Sequence, residues 1–272
     1  MIDMIIALIV ILIICLLYVL STMGRLGKDR MGDFYGWNYA HRGLHGNGVP
    51  ENSMEAFRRA REHGYGVELD VHLLADGNLA VIHDYDLKRS TGKTGVVEDL
   101  TVDQLDDYFL EGTMQTIPEF GKVLKLFDGR VPLIVELKAA GKNYADLCEK
   151  ACELLDAYDG KFCLESFDPR CVRWLRKNRP DLIRGQLTEN FFRTKSSTLP
   201  WFLKLLLTYQ FMNFLTMPDF VAYKFRDRKN ISNFIVRSLW GTPSATWTII
   251  NRDEFDTAVE ENRIPIFEGF EP

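Results

Sequence analysis

Short β-rich runs alternate with helical stretches along most of this chain, and that alternation narrows the fold more than any other feature. The candidate strands are WNYAH (37–41), VELDVHL (67–73), LAVIH (79–83), PLIVELK (132–138), FCLES (162–166), IRGQL (183–187), DFVAY (219–223) and ATWTII (245–250). RIPIFEGF (263–270) is a further candidate. Helical patterns such as SMEAFRRAREHG (53–64), IPEFGKVLKLF (117–127), NYADLCEKACELLDAY (143–158) and RCVRWLRKN (170–178) fill most gaps. Strand, helix, strand repeated this often predicts a parallel sheet with helices outside. Eight such strands close an α/β fold of the TIM (β/α)8 type, with its site at the C-terminal strand ends.

The N-terminus is a separate unit. Met4–Leu20 reads MIIALIVILIICLLYVL, 17 residues without Pro, Gly or charge. That is at the short end of the roughly 17–25 a spanning helix needs. A signal peptide would carry a basic n-region, whereas Ile2 and Asp3 precede this run. The expected organisation is a transmembrane anchor over 1–23, a polar linker over 24–36 and the barrel over 37–272. Arg25, Lys28 and Arg30 follow the run, so the positive-inside rule makes this a single-pass cell-membrane protein with the barrel in the cytoplasm. Cys148, Cys152, Cys163 and Cys171 have no metal-type CxxC spacing, which suits reduced thiols. A net charge of −5 and the lack of a basic stripe argue against a nucleic-acid partner.

Ionisable residues gather where a barrel would place its rim. His41 and Arg42 end the first candidate strand. Glu68 and Asp70 are two apart on the second and share a face. His83 and Asp84 end the third, and Glu136 and Lys138 lie near the end of the fourth. Neither face of a barrel strand meets solvent, so buried carboxylates there need a cation or hydrogen bonds. Glu136 offers a third oxygen ligand, which favours a metal over an ion pair alone. Two histidines beside them fit proton transfer near neutral pH. Arg42 and Lys138 make an anion site suited to phosphate. His45, His63 and His72 show no such partners and read as structural. A divalent ion, two histidines and two cations together describe phosphodiester cleavage.

The residues that carry this chemistry also carry a resemblance. AHRG (40–43), PENSMEAF (50–57), VELDVHLLADGNLAVIHD (67–84), STGKTGVV (90–97), VELK (135–138), ESFDP (165–169) and ATWTIIN (245–251) closely resemble the glycerophosphodiester phosphodiesterase family. The resemblance implies a TIM barrel with a small insertion over 85–115. It implies His41 and His83 as the acid/base pair, Glu68, Asp70 and Glu136 as ligands of Mg²⁺ or Ca²⁺, and Arg42 and Lys138 on the phosphate. Trp247 would line the substrate pocket, its alternative being a core tryptophan. The implied reaction proceeds through a cyclic phosphate. It turns glycerophosphodiesters or lysophospholipids into an alcohol and glycerol 3-phosphate or a lysophosphatidate. At the C-terminus IPIFEGFEP departs from the family's Gly-Asp-Gly-rich final strand and its acidic-Pro pair.

A second apolar stretch, LPWFLKLLLTYQFMNFLTMP (199–218), has Pro200 as a helix start and Thr198 as a cap. It reads either as a buried outer-barrel helix or as an interfacial helix resting on the bilayer, with Trp201 and Lys204 suited to an interface. Two other functions compete. One is a phosphodiesterase of wall polymers such as teichoic acid, which needs an external domain and conflicts with the basic flank. The other is a catalytically inactive lipid-binding protein, which the complete polar set at the rim disfavours.

Overall fold

A computed structural model describes residues 1–195 and 197–272. One sheet contains β1 Tyr39–His41, β2 Gly66–Leu73, β3 Leu79–Val81, β4 Leu133–Leu137 and β5 Phe162–Ser166. It continues through β6 Arg184–Thr188, β7 Phe220–Lys224, β8 Ser244–Ile249 and β9 Ile264–Phe267. All but β3 run parallel, and β9 pairs with β1 to close the ring. The fold is a TIM barrel preceded by an apolar N-terminal helix.

The composition of the ring differs from the sequence reading in one stave. LAVIH was expected as the third barrel strand, yet β3 pairs antiparallel with the end of β2, Val71 opposite Val81. The reason is the connection. Leu74 N–H donates to Asn78 O at 2.9 Å across a tight turn with Gly77 at φ 81°. A parallel crossover needs a dozen or more residues, which this turn lacks. The stave it vacates is supplied by β9, so the atypical IPIF sequence closes the barrel.

Side chains alternate across each strand. Val67, Leu69, Val71, Leu133, Val135 and Leu137 face the surrounding helices in the outer core. Tyr39, Ile134, Cys163, Phe220, Ala222, Ala245 and Ile266 fill the barrel itself. Gly66 makes room for this filling, because a Cβ there would lie 2.6 Å from the Tyr39 ring. Gly185 does the same for Phe220. Cys148 and Cys152 lie buried on the helix Tyr144–Asp156, where their one-turn spacing serves packing.

The 24–36 segment is not a free linker. Met31 and Phe34 are buried inside the barrel's own cluster at its N-terminal end. Tyr39 Oη–H donates to Phe34 O at 3.2 Å. Arg25 and Arg30 reach Asp219 at 3.4 and 3.3 Å, and Arg25 N–H donates to Pro218 O at 2.8 Å. The segment therefore plugs and straps the underside of the barrel.

The N-terminal helix Ile2–Ser21 has no buried residue and is long and apolar enough to cross a membrane. Its last turn docks on the barrel flank. The Tyr18 ring lies 4.8 Å from Phe211. Trp240 Nε1–H donates to Val19 O at 3.1 Å, and Asn213 Nδ2–H donates to Thr22 O at 3.2 Å.

The second apolar stretch forms two helices, Trp201–Thr208 and Asn213–Thr216. Pro200 sits at the first N-cap with no side-chain cap, so Thr198 does not play that part. The buried-helix reading does not hold for the first helix, where Trp201 is 72% exposed, Phe202 is 48% exposed and only Thr208 is buried, whereas Gln210, Asn213 and Thr216 further along are buried. Between β3 and β4, residues 85–115 form the short helix Lys88–Thr91 and three 3₁₀ turns, and the helix Phe120–Phe127 follows. Leu87, Val97, Leu100, Leu105, Leu110 and Ile117 give them a small core of their own.

Candidate active site

Register brings the rim residues to one level. In the parallel ladders His41 is opposite Glu68, Asp70 is opposite Glu136, and Glu136 is opposite Glu165. All four carboxylates are buried. Single oxygens of Glu68, Asp70 and Glu136 lie within 4.8 Å of one another, as a shared cation requires. The donors are all hard oxygens; Glu165 Oε2 is buried without a hydrogen bond, and Asp70 Oδ1 meets the Lys138 ammonium at 3.0 Å. Among the described residues, Arg42 and Lys138 are the Lys or Arg side chains that face these four buried carboxylates, so a divalent ion fits the set chemically.

The electrostatics follow from that imbalance. Burial, joined by the charges of Asp70 and Glu136, drives the Glu68 carboxyl well above its ordinary range. Burial also pushes Glu136 up to about 7 against the pull of Lys138, and it raises Glu165. Asp70 goes the other way. Burial opposes its charge, but Lys138, His83, Arg42 and the Asn52 amide together hold it well below the usual range. Asp70 is thus the fixed anion of the cluster, while burial and like charges work against ionisation of Glu68, Glu136 and Glu165.

His41 and His83 both line a small cavity with Arg42, Glu68, Glu136 and Trp247. His41 Nδ1 is 2.6 Å from Glu268 Oε2, and His83 Nδ1 is 2.6 Å from Asp84 Oδ1. An Nδ1–H held by a carboxylate leaves Nε2 to exchange a proton. His41 Nε2 is 3.8 Å from Glu68 Oε2. Burial lowers both histidines' pKa values, and the carboxylate partners partly offset it. His83 does not come from a barrel stave as expected. It follows the antiparallel β3, which folds back over the β2 end and delivers the imidazole to the same rim.

Arg42 occupies the left-handed region at φ 55°. That turn aims its N–H at Glu68 Oε2, 3.1 Å away, and its guanidinium at Glu51, with Nη1 3.0 Å from each oxygen. Lys138 Nζ sits 3.0 Å from Asp70 and 2.8 Å from Glu136. A contact with two expected metal ligands was not foreseen from the sequence. Trp247 is half-buried, edge-on to Phe167 at 5.5 Å, with its Nε1–H on Ala222 O at 3.3 Å. A second cleft of about 730 Å³ opens beside this cavity and shares His83, Glu136 and Phe167 with it.

Several members of the site escaped the sequence reading. Glu51 bridges Arg42 and Arg89, and Arg89 also binds Asp84, so the helix Lys88–Thr91 is tied into the rim. Glu51 and Asn52 lie within the quoted PENS motif, where the signal was present but unassigned. Glu268 lies in the divergent C-terminal sequence, which offered no signal. The histidines read as partnerless all meet carboxylates: His45 with Glu268 at 3.6 Å, His63 with Glu271 at 2.8 Å and His72 with Glu98 at 2.7 Å. The His72 Nε2 also lies 3.2 Å from His83 O, which steadies the backbone that carries His83.

Fold and site together define a (β/α)8-barrel protein with an acidic, histidine-flanked cleft at its C-terminal rim. The family model for the glycerophosphoryl diester phosphodiesterase family matches residues 41–223. A glycerophosphodiester phosphodiesterase of Bacillus altitudinis is 35% identical over 55% of this chain and 65% of its own length. A lysophospholipase D of Rattus norvegicus is 33% identical over 46% of this chain and 42% of its own. Both matches stop short of two-thirds of the relative's length. An Oleispira antarctica phosphodiesterase, solved with the product sn-glycerol-3-phosphate, superposes with a TM-score of 0.69 at 19% identity. That match covers 85% of this chain and 92% of the other. This chain belongs to the glycerophosphoryl diester phosphodiesterase family.

Proposed function

We propose that this protein hydrolyses glycerophosphodiesters and lysophospholipids in a metal-dependent reaction with His41 and His83 as the acid/base pair. The observation that carries the proposal is a cavity lined by two carboxylate-oriented histidines and by Glu68 and Glu136, which cluster with Asp70 as a triad. Mg²⁺ or Ca²⁺ held by the triad would polarise the phosphate oxygens. Arg42 and Lys138 hold the phosphate, and Trp247 walls the pocket. One histidine Nε2 takes the proton of the adjacent glycerol hydroxyl, whose oxygen attacks phosphorus. The other histidine gives its proton to the departing alcohol. Water then opens the cyclic phosphate with the two roles exchanged, leaving glycerol 3-phosphate or a lysophosphatidate. Family membership supports the diester substrate, and the likeness to a lysophospholipase D supports the lipid form of it. The test is release of choline from glycerophosphocholine and lysophosphatidylcholine by the purified full chain. No release from either, with metal supplied, overturns the reading.

The helix Ile2–Ser21 serves in this reading as a single-pass anchor, with the barrel on the cytoplasmic face as its basic flank dictates. An engineered surface cysteine on the barrel should resist impermeant thiol reagents in intact cells. Labelling from outside would reverse the orientation and revive a wall-polymer substrate.

A further inference from the structure

We infer that an apolar pocket beside the catalytic cavity receives the acyl chain of a monoacyl glycerophospholipid, a reading that rests on the proposed phosphodiesterase activity. The pocket has a volume of about 460 Å³. Its wall is made by Phe167, Phe191, Leu203, Leu206, Leu207 and Met212, with Asp168 and Arg170 as the charged members of its lining. Asp168 and Arg170 are paired with each other at 2.6 Å, which leaves no unbalanced charge to recruit a polar ligand. A volume of this size with such a lining suits a flexible hydrocarbon.

Position makes the assignment specific. Phe167 faces this pocket, the catalytic cavity and the larger cleft at once. It meets Trp247 edge-on at 5.5 Å on the catalytic side and Phe191 at 6.1 Å on the apolar side. One aromatic ring therefore separates the place where the phosphate would react from a place where hydrocarbon would be buried. That matches a substrate whose phosphate and acyl chain are joined by a single glycerol. The other boundary is the helix Trp201–Thr208. Its inner residues Leu203, Leu206 and Leu207 line the pocket, while Trp201, Phe202 and Leu205 are exposed on its outer face. The same stretch then reaches the membrane-type helix, with Phe211 on Tyr18 and Asn213 on Thr22. The pocket thus lies between the reacting centre and the surface nearest the anchor. A deacylated glycerophosphodiester has nothing to place in it.

The inference is tested with lysophosphatidylcholines of six, eight and ten acyl carbons, each below its micelle-forming concentration, beside glycerophosphocholine. Each methylene that leaves water for such a pocket is worth roughly fourfold. Four methylenes compound to about 250-fold at full burial, so even partial burial should raise the wild-type kcat/KM at least about tenfold from six to ten carbons. Leu203→Trp, which puts an indole into the pocket and narrows it, should cut that ratio severalfold. The ratio is internal to each variant and is unaffected by loss of folded protein. A second measurement does not depend on turnover. Lysophosphatidylcholine with a diazirine at the chain end is photolysed with the full chain in nanodiscs, and the adducts are mapped. Adducts on Leu206, Leu207 or Met212 that L203W diminishes support the pocket. Adducts confined to Trp201, Phe202, Leu205 or the helix Ile2–Ser21 overturn it and leave mere contact with the bilayer. A flat chain-length profile with active hydrolysis overturns the pocket but spares the phosphodiesterase. Pocket adducts without hydrolysis of any diester do the reverse.

Discussion

Replacing Phe34 with alanine tests the claim that the segment before β1 belongs to the barrel. The Phe34 ring is 2% exposed and sits with Met31 and Tyr39 among the interior side chains. Its loss removes the burial of a full aromatic ring and leaves a void that the rigid strands around it close only in part. Phe→Ala changes at such sites cost about 3–5 kcal/mol. Against a domain stability of about 5–15 kcal/mol, that is about a fifth or more of the total. For a chain of this size each kcal/mol moves Tm by about 2–4 °C, so a fall of about 10 °C is expected. The Tyr39 hydrogen bond to Phe34 O uses the backbone and should persist. Asp33→Ala is the control, because its carboxylate meets Lys161 at 2.7 Å on an exposed surface. Such a pair contributes about 0–1 kcal/mol. The assay is thermal unfolding of the full chain in detergent, with kcat/KM measured well below the transition. The catalytic rim is at the opposite end of the barrel, so F34A should keep its kcat/KM. If F34A and D33A melt together, the segment does not plug the barrel and the reasoning is refuted.

Chelation by EDTA should abolish turnover, and Mg²⁺ or Ca²⁺ should restore it; full activity in a metal-free preparation would end the metal assignment. His41→Ala and His83→Ala should each lower kcat by about 10²–10⁴-fold while the circular-dichroism spectrum stays native, and near wild-type kcat in either removes that residue from the acid/base pair. Glu268 is held down to about 2 chiefly by its hydrogen bond to His41, and its charge in turn favours the imidazolium. Glu268→Gln should therefore move the His41 limb of the kcat/KM profile to lower pH; an unmoved limb means the contact is not catalytically relevant. The same depressed pKa makes the Glu268–His41 contact stabilising above the ordinary carboxylate pKa of about 4.5. That contribution should fade as pH falls from there toward about 2, read as a Tm difference between wild type and E268Q that vanishes in acid.

Much of the rim was legible because strand arithmetic is strict. Residues two apart share a face, so Glu68 with Asp70 could be placed from sequence, and parallel register then put Asp70 level with Glu136. The ring order was harder. LAVIH and IPIF are both short apolar runs, and only the length of the preceding connection separates a hairpin strand from a barrel stave. Glu51, Arg89 and Glu268 act through long-range pairings that no local period encodes. The partners of His72 and His63 were hidden for the same reason, 26 and 208 residues away along the chain. Composition misled at 24–36, where polar residues and glycines suggested a spacer. Two apolar residues, Met31 and Phe34, decide its fate by filling the barrel floor.

The strap over Asp219 sets how this protein would look for substrate. A long flexible tether lets a catalytic head sweep a hemisphere of solution. Here Thr22 is buried, Arg25 is bonded to Pro218 O and Arg30 grips the turn before β7, so there is almost no slack between the helix end and the barrel. On a bilayer the cleft would ride at one height and one tilt, meeting molecules that drift sideways in the leaflet. Its saturation would then be governed by the mole fraction of substrate in the surface. Diluting the lipid with inert phospholipid at fixed bulk concentration should slow it as effectively as withdrawing substrate.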